Sequence, residues 1–144
     1  DSSVTGVQTC ALPILLSNSS LMFINTQYGD TAEEVRKFEK RYGISIFRDP
    51  EIDALADLEG LSAQLSALDL LVSVSNTTAH LAAATGVPTW LHVPDGNKRL
   101  WYWLDAGGYS PWYRGVVISR SPLGPALGAL GMGLDHASRR GVKD

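Results

Sequence analysis

The chain has a single cysteine, Cys10, in 144 residues, which rules out an intrachain disulfide framework. It lacks an excess of charge of either sign. Twelve Lys and Arg stand against fifteen Asp and Glu, for a formal charge of -3, with no basic stripe of the kind that nucleic acid or an anionic membrane attracts. Long apolar runs are missing as well. The longest early one, Cys10 to Leu16, is far short of the ~20 residues of a membrane span, and no Lys or Arg precedes it to make a secretory leader. The compartment therefore reads as cytoplasmic.

Several chemistries lack their residues. There is no Walker A motif, no Gly-x-Gly-x-x-Gly after a strand and no Asp-x-Asp. His80, His92 and His136 are scattered, and no close His/Cys pair suggests a metal centre. Ser75 has none of the glycines of a nucleophile elbow, so covalent catalysis has no candidate.

What remains is a chain that is 44% hydrophobic and 19% charged, enough for one soluble core. Its two ends stand apart. Residues 1–20 open on Asp1-Ser-Ser-Val-Thr-Gly-Val-Gln-Thr-Cys-Ala-Leu-Pro-Ile14, which looks like a translated sequencing adapter and is read as an artefactual or disordered leader. Residues 121–144 carry Gly124, Gly128, Gly131, Gly133 and Gly141 with little periodicity, and read as a Gly-rich tail, disordered or frameshifted. The informative domain is 21–120.

Within it, β-like and helical segments alternate. Leu21 to Thr26 reads as a strand, followed by a helix capped at Asp30, with Glu33 completing a capping box and Val35, Phe38 and Tyr42 on one face. Acids lead this helix, Lys40 and Arg41 trail it, and Gly43 stops it. Ile44 to Phe47 reads as a second strand, and a helix with Leu58, Leu61, Leu65 and Leu68 on one face follows. Asp69 to Ser75 is apolar enough to predict a strand buried on both faces. The next helix, Thr78 to Thr85, is capped by Asn76 or Thr77 and stopped by Gly86; Thr89 to Val93 and Gly115 to Ser119 complete the strands. The alternation predicts an α/β fold: a Rossmann-like, open, mostly parallel sheet with helices on both faces.

Ligands of such sheets bind beyond the carboxyl ends of strands. There Ser75-Asn-Thr-Thr78 precedes an Ala-rich helix whose first N–H groups have no intrahelical partners, an arrangement that attracts phosphate. Two readings of Asn76 and Thr77 compete on level terms: a plain N-cap, and one rim of a diphosphate site. His80, in the first turn, is either coupled to a bound anion or a neutral histidine packed beneath the loop. Trp101-Tyr-Trp103, Tyr109, Trp112 and Tyr113 suit either stacking on a base or sugar ring, or packing against the sheet.

Three blocks carry a resemblance: Phe23-Ile-Asn-Thr-Gln-Tyr-Gly-Asp30; Leu65-Ser-Ala-Leu-Asp-Leu-Leu-Val-Ser-Val-Ser-Asn-Thr-Thr-Ala-His-Leu-Ala-Ala-Ala-Thr-Gly-Val-Pro-Thr-Trp90; and Leu100-Trp-Tyr-Trp103 with Ser110-Pro-Trp-Tyr113. Over Leu21 to Tyr113 the chain resembles the C-terminal domain of bacterial tetratricopeptide-repeat (TPR) glycosyltransferase-like proteins. These are similar to family 9 heptosyltransferases and, more distantly, to O-GlcNAc transferase. The resemblance implies one half of a GT-B fold that grips a nucleoside-diphosphate sugar as donor substrate, without a metal or other cofactor. It implies that Asn76, Thr77 and Thr78 hold the donor diphosphate, with His80 supporting them or touching a phosphate. Gln27 and Tyr28 would line the cleft, and Trp101 and Trp103 would border the nucleotide.

The partners so implied are the nucleotide sugar, an N-terminal GT-B domain and upstream TPR repeats, with no nucleic acid and no membrane span. The resemblance assigns the general base and acceptor site to that other half, so this chain is expected to bind rather than turn over. A non-catalytic nucleotide-binding or scaffold module of a TPR protein and half of a nucleotide-sugar epimerase are the alternatives. The sequence departs from the family where Arg114 follows the Ser-Pro-Trp-Tyr block and the Gly-rich tail follows Arg120.

Overall fold

The computed structural model describes residues 21–93, 102–103 and 107–120. The expected leader and Gly-rich tail lie outside the described residues. The chain divides into two compact units, whose described parts are 21–25 with 31–47, and 26–30 with 48–93, 102–103 and 107–120. The architecture is α/β, with parallel sheets and helices in the Rossmann-like manner. Among the described residues no helix is long and apolar enough to cross a membrane.

In the first unit, β1 (Phe23–Ile24) pairs in parallel with β2 (Ile46–Phe47) through the connecting helix α1 (Ala32–Tyr42). Glu33 and Glu34 occupy the positive end of α1 and Lys40 and Arg41 its negative end, as the helix dipole favours. Phe38 and Tyr42, one turn apart, bring their rings to 4.6 Å. Gly43 ends the helix at φ 65°, a left-handed position that suits a residue without Cβ, and its N–H donates to Glu39 O. The start differs from the capping box that the sequence predicts. Thr31, not Asp30, is the N-cap and makes no side-chain cap, because its hydroxyl receives Asn25 Nδ2 at 3.0 Å. Glu33 instead pairs with Lys37 one turn on, an exposed pair worth at most a few tenths of a kcal/mol. Glu39 turns back to accept the Ile46 N–H at 2.7 Å, tying the end of α1 to the start of β2.

The second unit contains α2 (Leu58–Ser66), β3 (Leu71–Val74), α3 (Thr77–Ala84), β4 (Thr89–His92) and β5 (Val116–Ser119). Its sheet runs β3-β4-β5, all parallel, an order that the sequence left open. Register aligns Leu71 with Thr89 and Val116, then Ser73 with Leu91 and Ile118. Asp57 caps α2 by accepting the Gly60 N–H at 2.8 Å.

Among the described residues, two apolar clusters hold this unit. Leu61 and Leu65 of α2 meet Leu71, Ala82 and Val87. Ala79 and Ala83 meet Leu91, Val93, Trp103, Val116 and Ile118. The alanines of α3 therefore serve both clusters, and their small side chains let the helix lie close against the sheet. Each fully buried Leu contributes roughly 1.5–3 kcal/mol of transfer free energy.

Burial of β3 corrects the sequence-based expectation. Leu71 is 4% exposed, but Val72 and Val74 are 42% and 38% exposed, so the strand is not buried on both faces. Alternate side chains of a strand point to opposite faces. The face of Leu71, Leu91 and Ile118 is the one on which the buried clusters form, and Val72, Val74 and Val117 belong to the other.

Candidate functional site

The site is built where β3 gives way to α3, at the carboxyl end of a parallel strand. Asn76 sits in an extended conformation (φ -155°, ψ 177°), which ends the strand and starts the helix. Its Oδ1 accepts the Ala79 N–H at 2.9 Å and the Ser73 hydroxyl at 3.3 Å. Its backbone carbonyl accepts the His80 N–H at 3.4 Å. Asn76 is thus the N-cap, one residue before Thr77, and the helix starts one residue earlier than the pattern suggests. The cap satisfies the third N–H of the helix and leaves those of Thr77 and Thr78 with no acceptor inside it. They share the positive end of the dipole.

The two threonines differ. Thr77 is exposed, whereas Thr78 is buried at 5% exposure, so Thr77 presents its side chain to solvent and Thr78 packs inward. Thr77, the Asn76 amide and two backbone N–H groups make up the polar rim of this turn.

Behind the rim lies an aromatic group that no single local motif announces. His80 stacks on Trp103, with ring centroids 4.5 Å apart and planes 19° from parallel. Tyr102 and Tyr113 approach the same imidazole at 5.2 and 5.8 Å. The Tyr113 hydroxyl lies 3.1 Å from His80 Nδ1. Burial lowers the His80 pKa from the ordinary 6.5, so the neutral ring is favoured. Trp103, expected to border a nucleotide, is instead 1% exposed and donates its indole N–H to Ser75 Oγ at 2.7 Å. Its large apolar surface fills the core beside Leu91 and Val93 rather than facing a ligand.

The segment that supplies Tyr113 is itself pinned. Ser110 Oγ accepts the N–H groups of Trp112 and Tyr113 at 3.2 and 3.3 Å, and the Trp112 indole N–H donates to Tyr102 O at 2.9 Å. Trp112 stays 61% exposed while Tyr113 turns inward.

Gln27 and Tyr28 are exposed on the 26–30 loop of the same unit, where Arg48 donates to Gly29 O at 3.2 Å. Trp101 lies outside the described residues. Among the described residues no group of three or more His, Cys, Asp or Glu could hold a metal ion. His92, at the end of β4, has a buried Nδ1 with no hydrogen-bond partner among the described residues, and burial lowers its pKa too.

The chain is similar to Protein FlbA of Caulobacter vibrioides. The two are 34% identical over 103 residues, covering 71% of this chain and 16% of FlbA. The chain thus spans about a sixth of the length of that relative. No protein-family model matches the chain, and no solved structure does.

The contacts that Ser75 and Tyr113 make are what the sequence does not announce. Tyr113 was visible as one aromatic among several. Ser75 belongs to the polar Ser75-Asn-Thr-Thr78 loop that the sequence marks, but its role in accepting a hydrogen bond from a ring 28 residues away has no local signature.

Proposed function

We propose that this chain is the donor-binding half of a GT-B glycosyltransferase-like protein, holding the diphosphate of a nucleoside-diphosphate sugar at the start of α3. The observation that carries the reading is the Asn76-capped turn at the carboxyl end of β3, with the Thr77 and Thr78 N–H groups and the exposed Thr77 side chain at a positive helix end. Donors fixed in this way stabilise the charge of a departing diphosphate without reorganisation. They supply that stabilisation with no divalent cation and no other cofactor. The resemblance in the Asn76 to Pro88 block supports the same assignment. The proposal sets the protein in the cytoplasm, with an N-terminal GT-B domain and TPR repeats as partners.

A non-catalytic nucleotide-binding or scaffold module is the second reading. It is served by the same Asn76-capped turn, since binding alone needs no general base from the other half.

Calorimetry of the 144-residue chain with UDP, ADP, GDP and pyrophosphate tests binding. Binding that weakens about tenfold or more in Thr77→Ala supports the diphosphate assignment, one lost hydrogen bond to a charged group being worth ~1.5–3 kcal/mol. Undetectable binding of all four ligands by the wild-type chain defeats it. Sugar transfer by the full-length parent then separates the enzyme from the binding module.

A further inference from the structure

We infer that Trp103 is a positioning residue for the β3–α3 turn, acting through Ser75 and His80 on either side of the Asn76 cap. The inference rests on the diphosphate reading for its functional meaning, but the geometry stands without a ligand.

One indole touches both flanks of the turn. Its N–H donates to Ser75 Oγ at 2.7 Å, just before the cap. Its ring face stacks on His80 at 4.5 Å, in the first helical turn after the cap. Ser75 and His80 are therefore spaced by one rigid side chain that is itself fixed in the core at 1% exposure. Asn76 is tied from within the turn by Ser73 and Ala79. Tyr113 restrains the edge of the imidazole through Nδ1.

The anchor is anchored in turn. The Trp112 indole N–H holds the backbone carbonyl of Tyr102, the neighbour of Trp103, and Ser110 fixes the turn that carries both Trp112 and Tyr113. The 102–103 and 110–113 segments together set where the N–H groups of Thr77 and Thr78 point. A phenylalanine at 103 would fill most of the same core space, so the indole N–H, and not apolar volume alone, is the distinguishing contact.

The test is a double-mutant cycle on Trp103→Phe and Ser75→Ala in the full chain. Two quantities are read: protection of the Ala79 and His80 amides against hydrogen exchange without ligand, and the Kd for pyrophosphate. Each single variant is expected to lower amide protection in the turn about three- to tenfold, the effect of one net hydrogen bond. The double variant should fall no further than the worse single, because both changes remove the same contact. Pyrophosphate binding should weaken in parallel, and Ser75→Thr, which retains the hydroxyl, should restore both readouts. Additive losses in the cycle, or turn amides unaffected by either single change, overturn the positioning role. If the wild-type chain binds no pyrophosphate, the diphosphate reading fails, and the ligand-free amide cycle still decides whether Trp103 positions the turn.

Discussion

The hydroxyl of Tyr113 meets Nδ1 of His80 at 3.1 Å, across 33 residues of sequence, and joins the last aromatic of the 110–113 turn to the first turn of α3. This contact and the Trp103 stack enclose a ring whose charged form burial disfavours. Stability should therefore depend on pH in a defined direction. The unfolded His80 takes up a proton as pH falls through 6.5 and the folded one resists, so the unfolded state binds more protons and stability declines below that value. His92 contributes with the same sign, because its pKa is lowered by the same cause. Urea unfolding at pH 7.5 and 5.5 should give a lower midpoint at the acid pH, and His80→Gln should reduce the difference. An unchanged midpoint across that range in the wild type would contradict the enclosed, neutral state.

Occupancy of the turn by an anion should work against that burial. A negative charge at the start of α3 favours the imidazolium, so the His80 pKa rises on binding and, by linkage, binding takes up proton. NMR titration of the His80 ring with and without pyrophosphate should show the bound value displaced upward. Identical titration curves at saturating pyrophosphate would separate His80 from the ligand.

Element order was legible in the sequence because each element carries its own periodicity and punctuation. The Glu-to-Lys gradient of α1, Gly43 after it and the Asn76 start of α3 are local signals, and local physics decides them. The strand faces were less legible. An apolar run such as Leu70 to Val74 satisfies both a two-sided and a one-sided strand, and only the positions of α2 and α3 decide that Leu71 is covered while Val72 is not. The aromatic group was half legible for a similar reason. Composition marks 101–113 as rich in rings, but whether Trp103 or Trp112 turns inward depends on partners 28 and 10 residues away, Ser75 and Tyr102. At the start of α1 the sequence offers both Asp30 and Thr31 as caps, and the structure places the helix start at Thr31, whose hydroxyl Asn25 engages from six residues away.

Gly43 offers a test of the α1 terminus. At φ 65° a Cβ meets no neighbouring atom, so substitution by alanine acts through backbone strain and not through a clash. Gly43→Ala should cost ~1 kcal/mol, the usual penalty for a residue with Cβ in the left-handed region. Denaturant melts of the two proteins measure it; equal stability would show that the helix end relaxes to another conformation.

Two leucines of α2 separate helical periodicity from actual burial. Leu58 and Leu65 are one heptad apart and fall on one predicted face, yet Leu58 is 54% exposed and Leu65 is fully buried at 0%. Leu65 packs among Leu61, Leu71, Ala82 and Val87, so truncation leaves a cavity between α2, β3 and α3. Leu65→Ala should cost about 2–5 kcal/mol, combining lost transfer energy with the cavity. Leu58→Ala should stay within about 1 kcal/mol, since alanine also has the higher helix propensity and little surface returns to water. Equilibrium unfolding in urea measures both. Comparable losses would mean that Leu58 is covered in solution, and that the first turn of α2 packs more tightly than its exposure indicates.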